Sequence, residues 1–308
     1  MGTGRWSERD WREYSQRNIN GRERVEDIYT SISLNPDLDP RGITYRESCD
    51  SIDNPNATPI IIGLDVTGSM GFILDNMARV GLRNLATEIY NKKPINDPHL
   101  MFMGIGDVKC DSAPLQVTQF EADIRIAEAL TKIYLEKGGG GNDCESYTLP
   151  WWFAAMHTKC DNYIKRGKKG FLFTIGDECP PEDLSSYEIE RVLGYKPQFN
   201  TISTRELFRL VSEQYEVFHI VIEEGSYCRY YPERALNSWR SILGERVLSL
   251  KNHENLAELI VETLQRFNGR DSLYRNNEPR NYYENYTSHD FKTQRKRKIG
   301  FLRFYMGF

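Results

Sequence analysis

Residues 59–71 read Pro-Ile-Ile-Ile-Gly-Leu-Asp-Val-Thr-Gly-Ser-Met-Gly. The apolar residues Ile60, Ile61, Ile62 and Leu64 run straight into three oxygen-bearing side chains at alternate positions, Asp65, Thr67 and Ser69. A continuous Ile/Leu run of this length reads as a strand buried on both faces, which is the habit of parallel sheets. The strand therefore ends by offering one carboxylate and two hydroxyls from a tight loop. Hard, small divalent cations such as Mg²⁺ take oxygen ligands of this kind and keep several waters. The bland alternative is that Asp65 only caps the helix that follows, since Asp, Ser and Thr bond the free N–H groups of a first turn.

Working outward, strand and helix signals alternate. The pattern predicts strands at 59–65, 99–106, 114–120 (an edge strand by its alternation), 169–176, 215–222 and 246–250. Helical spacing covers 70–91, 121–136, the stretch after the glycines to about Lys159, 182–193, 204–213, 232–243 and 253–267. Such alternation calls for an α/β fold, a doubly wound and mostly parallel six-stranded sheet with helices on both faces. Open parallel sheets bind ligands outside the carboxyl ends of their strands, where strand order reverses. Three loops are candidates there: Asp65-x-Thr67-x-Ser69, the run Gly138-Gly-Gly-Gly141-Asn142-Asp143, and Gly176-Asp177-Glu178. The glycine run lacks the Gly-Lys-Ser/Thr of a phosphate-binding loop and is otherwise a plain turn.

Three such loops in this order resemble the metal-ion-dependent adhesion site of the von Willebrand factor A (vWA) family, over roughly residues 58–268. The resemblance implies a Rossmann-like fold in which Asp65, Thr67, Ser69 and Asp177 hold Mg²⁺ or Mn²⁺. The family's Thr after the glycines is replaced here by Asn142 or Asp143, either of which keeps an oxygen donor in place. Asp107, Glu145 and Glu178 are expected beside the ion or facing a partner, with a solvated strand-end acid as the simpler reading of Asp107. The resemblance also implies an open coordination position, filled by an Asp or Glu of a protein partner, and a shift of the last helix coupled to it.

Composition narrows the field. The chain has 308 residues, a formal net charge of −4, 39% apolar and 27% charged residues, so it is globular in character and without a global pull toward nucleic acid or anionic membrane. No apolar run reaches the ~18 residues of a membrane helix, and the first ten residues lack a signal-peptide core. The expectation is a cytoplasmic protein with no membrane partner. Residues 1–57 read as a polar arm with a short helix within Arg22–Ser33, docked by Trp6, Trp11 and Tyr14. Residues 269–308 form a tail with nine basic and four acidic residues, including Arg295-Lys-Arg-Lys298. The six cysteines show no C-x-x-C pair and are expected to be reduced thiols. Cys110, Cys144, Cys179 and Cys228 fall near the metal-bearing face, where a thiolate zinc or redox site is the alternative to inert thiols. His219 and Trp151-Trp152-Phe153 read as core.

The resemblance implies a domain that works by binding, and the expectation is a non-enzymatic, metal-dependent adaptor that assembles a protein complex. Two alternatives stand beside it. One is an RNA-associated vWA protein of the Ro type, binding through residues 292–308. The other is a metal-dependent hydrolase with Asp107, Asp143, Glu145 or Glu178 as general base.

Overall fold

The structure, a computed structural model, describes residues 3–136 and 144–268. Asn142, Asp143 and the tail 269–308, on which several expectations fall, lie outside the described residues. The core is a six-stranded sheet of β1 (Thr58–Asp65), β2 (Pro98–Ile105), β3 (Leu115–Val117), β4 (Gly170–Gly176), β5 (Tyr215–Ile222) and β6 (Val247–Leu250). The spatial order is β6-β5-β4-β1-β2-β3. Every pair is parallel except β2–β3, so the alternating segment is the antiparallel edge. This is the mixed α/β, Rossmann-like architecture that the alternation predicts.

The apolar run of β1 serves both faces. Ile60, Ile62 and Leu64 enter one core with Phe171, Phe173 and Ile175 of β4, the helical stretch 71–92 and the last helix, Leu256–Phe267. Ile61 and Leu172 point into a second core with Trp151, Trp152, Phe153 and Trp239. Side chains two apart share a face of a strand, so one central strand feeds both layers. The Trp-Trp-Phe run is fully buried, as its reading as core requires.

Several boundaries differ from the sequence pattern, each for a local reason. The stretch 70–91 is not one regular helix. A 3₁₀ turn at Gly68–Met70 leads into helix Gly71–Asn76, a π-turn at Met77–Gly81 and helix Leu82–Lys92. The helix expected over 121–136 spans only Arg125–Leu130. Beyond it, Tyr134 donates its N–H to Gln116 Oε1 and accepts from Gln116 Nε2 at its carbonyl, 2.8 Å each, which draws the chain onto β3. The helix after the glycines ends at Met156, and Thr158–Cys160 pairs with Arg46–Ser48 instead. At the N-terminus the main helix is Glu8–Asn18, with Ser7 as its cap, while the stretch expected to be helical keeps one turn, Val25–Ile28. Trp11 and Tyr14 are buried in the first core and Trp6 packs against it.

Candidate metal site and its cleft

Strand order reverses across β1: the chain moves to β2 and β3 on one side, then returns to β4 on the other. The β1–β4 boundary is therefore the switch point at which open parallel sheets place ligands. Leu64 pairs with Ile175 there. Asp65 and Asp177 thus leave adjacent strands, about 4.8 Å apart, one register step from each other.

Asp65 is 1% exposed. Its Oδ1 accepts from the Thr67 N–H at 2.9 Å and the Thr67 hydroxyl at 2.6 Å, and its Oδ2 accepts from the Tyr147 hydroxyl at 3.1 Å. Thr67 Oγ1 lies 3.5 Å from Ser69 Oγ. Asp65, Thr67 and Ser69 are therefore one cluster. The Asx-type turn from Asp65 to the Thr67 N–H is the capping geometry that the bland reading expects. Burial, followed by the negative charge of Asp177, raises the Asp65 pKa against the lowering pull of its donors. The Tyr147 hydroxyl is pushed well above its ordinary value by burial and by Asp65, so it donates.

Asp177 is also 1% exposed. Its Oδ2 accepts from the Tyr227 N–H at 2.8 Å, while Oδ1, also buried, has no hydrogen-bond partner among the described residues. Burial raises its pKa too. The chain folds tightly over it: a Cβ on Gly225 would sit 2.2 Å from Asp177 Cβ, so only glycine lets the loop after β5 approach.

The remaining acids divide. Glu145 is 3% exposed, its Oε2 has no partner among the described residues, and burial, then Asp65 and Glu178, raise its pKa strongly. Its environment favours the protonated form. Asp107 is occupied by its own loop, accepting from Lys109 N at 2.8 Å and Cys110 Sγ at 3.3 Å. The charge of Glu178 is felt by Glu145, and its carbonyl accepts from Trp239 Nε1 at 2.8 Å. The flanks of the glycine segment lie at the same rim: Glu136 N–H bonds the Val66 carbonyl and Ser146 N–H the Gly106 carbonyl.

Among the described residues the cysteines are not gathered into a group that could hold a metal ion. All six are free thiols; Cys179 and Cys228 are buried, and burial pushes Cys110 to about 12 and Cys144 and Cys228 to about 11. Among the described residues no three His, Cys, Asp or Glu side chains gather as a metal-ligand group. A site here draws on hydroxyls as well as acids, namely Asp65, Asp177, Thr67 and Ser69. That donor set is all oxygen, and the orphaned Asp177 Oδ1 fits a hard divalent cation. His219 is a core residue: its Nδ1 pairs with Thr174 Oγ1 at 2.9 Å, its ring stacks on Trp239, and burial keeps it neutral.

Three features have no signature in the sequence pattern: Tyr147 beneath Asp65, Gly225 and Tyr227 over Asp177, and a cleft beside Ser69. The cleft, about 400 Å³, is lined by Ser69, Phe72, Glu224, Ser226, Arg229 and His253. It opens onto the candidate ligand set through Ser69.

No known protein family and no curated protein matches the chain. Among solved structures it is similar to the pilus adhesin SpaC from Lactobacillus rhamnosus GG in its open conformation, at 13% identity and TM-score 0.45, with 70% of this chain and 31% of that one covered. The chain thus spans about a third of that adhesin's length. Proximal thread matrix protein 1 from the mussel byssus matches at 11% identity and TM-score 0.41, over 71% of this chain and 48% of that one. The conserved hypothetical protein BatB from Bacteroides thetaiotaomicron matches at 11% and 0.39, over 68% and 98%. Likenesses this distant carry no argument about the site. No helix among the described residues is long and apolar enough to cross a membrane.

Proposed function

We propose that this chain is a vWA-type protein that binds one Mg²⁺ (or Mn²⁺) through Asp65, Thr67, Ser69 and Asp177, and that an Asp or Glu of a protein partner completes the coordination. Asn142 or Asp143 supplies the remaining family position. The observation that carries the reading is the pair of buried carboxylates at the β1–β4 switch point, one with an oxygen that no described group satisfies. Both carboxylates lose hydration on burial, which favours their protonated forms, and the charge of Asp177 adds to that effect on Asp65. A divalent cation reverses that penalty and gives the orphaned oxygen a partner. Hydroxyl ligands add no charge, so the ion keeps enough positive charge to attract a further carboxylate.

For the hydrolase alternative, burial favours the protonated form of Glu145 and Asp107 is engaged by its own loop, while Asp143 lies outside the described residues. The RNA alternative rests on residues 292–308, outside the described residues. The test is calorimetric titration of MgCl₂ into the full chain and into Asp65→Ala, followed by capture of partners with and without chelator. One-site binding lost in Asp65→Ala and chelator-sensitive capture support the proposal. Equal titration curves for the two proteins overturn it.

A further inference from the structure

The cleft beside Ser69 adds a second recognition element to the metal site. Its walls come from three segments. Ser69 and Phe72 follow β1; Glu224, Ser226 and Arg229 follow β5; His253 begins the turn before the last helix. The β5 wall is fixed to the candidate site, because the Tyr227 N–H bonds Asp177 and Gly225 packs on its side chain.

The polar groups there are unequally committed. Glu224 Oε2 accepts from both the backbone N–H and Nδ1 of His253, at 2.7 and 2.9 Å. The His253 ring also packs edge-on against Phe72. Arg229 spends one N–H on the Glu224 carbonyl at 2.9 Å and has no carboxylate partner among the described residues. A guanidinium has five donors, so most of its fork faces outward. Tyr230 and Tyr231 follow it at 78% and 54% exposure. Arg and Tyr together are the residue types most enriched where partners anchor.

We propose that Arg229 receives a second carboxylate from the same partner segment whose first acid reaches the metal ion, so that the site recognises an acidic peptide with acids two residues apart. This inference rests on the metal-site reading above. Alternate side chains of an extended segment lie on one face about 7 Å apart, so a strand-like segment can present two acids to the same rim. At about 400 Å³ the cleft lies at the small end of the roughly 300–1,000 Å³ range of ligand pockets. Arg229 is exposed, so its contact adds discrimination more than bulk affinity.

The test uses fluorescence polarisation of the full chain in Mg²⁺ with two labelled Gly/Ser-framed peptides, one carrying Asp-Ser-Ser and the other Asp-Ser-Asp. The doubly acidic peptide is expected to bind roughly tenfold more tightly, Arg229→Ala to bring the ratio of the two affinities to about one, and Arg229→Lys to restore part of it. A preference that survives Arg229→Ala, or equal binding of both peptides by the wild type, overturns this inference and leaves the metal site standing. A preference that persists in chelator also overturns it, because Arg229 would then act without the ion. Failure of both peptides to bind in Mg²⁺ overturns it together with the proposed function. Thermal unfolding of the Arg229 variants within about 1 °C of wild type, the expectation for an exposed surface residue, confirms that folding is not the cause.

Discussion

Tyr147→Phe removes a single oxygen from a wholly buried ring and tests how Asp65 is held. The Tyr147 hydroxyl donates 3.1 Å to Asp65 Oδ2, and neither residue has access to bulk water that could replace the bond. Hydrogen bonds to charged groups contribute about 1.5–3 kcal/mol, and an abandoned buried acceptor loses the full amount. The cavity left by one hydroxyl is small, so about 2 kcal/mol is expected at about pH 8, where Asp65 is ionised. For a domain of this size that is a fall in Tm of about 4–8 °C. At about pH 5 the raised pKa of Asp65 keeps it protonated, the bond becomes neutral, and the expected loss falls to about 1 kcal/mol. Saturating Mg²⁺ should also narrow the gap, because the ion neutralises the carboxylate that lost its donor. Differential scanning calorimetry of wild type and variant at both pH values, with and without Mg²⁺, measures all four cases. A Tm within about 1 °C of wild type at about pH 8, or the same loss at both pH values, would refute the reasoning.

Other outcomes follow from the same geometry. Asp65→Asn, nearly the same shape without the charge, should abolish Mg²⁺ binding in calorimetry yet raise the metal-free Tm at about pH 8, since it removes a buried like charge; a lowered Tm there counts against the charge argument. The folded pKa values of Asp65, Asp177 and Glu145 are all raised, so the folded state holds more protons than the unfolded one. Their contribution to metal-free stability should therefore be fully present below the ordinary carboxylate range of about 4 and be lost as pH rises through the raised folded values, while Mg²⁺ flattens that loss; urea unfolding of wild type and Asp65→Asn at several pH values checks both. Gly225→Ala places a Cβ 2.2 Å from Asp177 Cβ and should weaken Mg²⁺ binding at least roughly tenfold, whereas Gly71→Ala, with nothing within 4 Å of the added carbon, should leave the affinity unchanged.

The sequence by itself determined the sheet and the direction in which its loops point. The run Ile60-Ile-Ile-Gly-Leu64 can satisfy its apolar surface only between two layers, and strand–helix alternation makes the neighbours parallel, so Asp65 and Asp177 emerge at one edge. The cluster of Asp65, Thr67 and Ser69 was equally legible, because its spacing is local. The length of the helix after β3 was not, since Gln116 captures Tyr134 across a sequence gap that periodicity does not see. Nor was the helix Glu8–Asn18, whose mostly polar composition conceals the two aromatics that anchor it. Only the tertiary structure decided that Tyr147 stands beneath Asp65, that Gly225 closes over Asp177, and that Ser69 and Arg229 share a cleft. Those relations join residues 82, 48 and 160 positions apart in the chain. Side-chain periodicity reports which face a residue occupies, not which distant residue meets it there; that is set by how loops of particular lengths pack over the switch point.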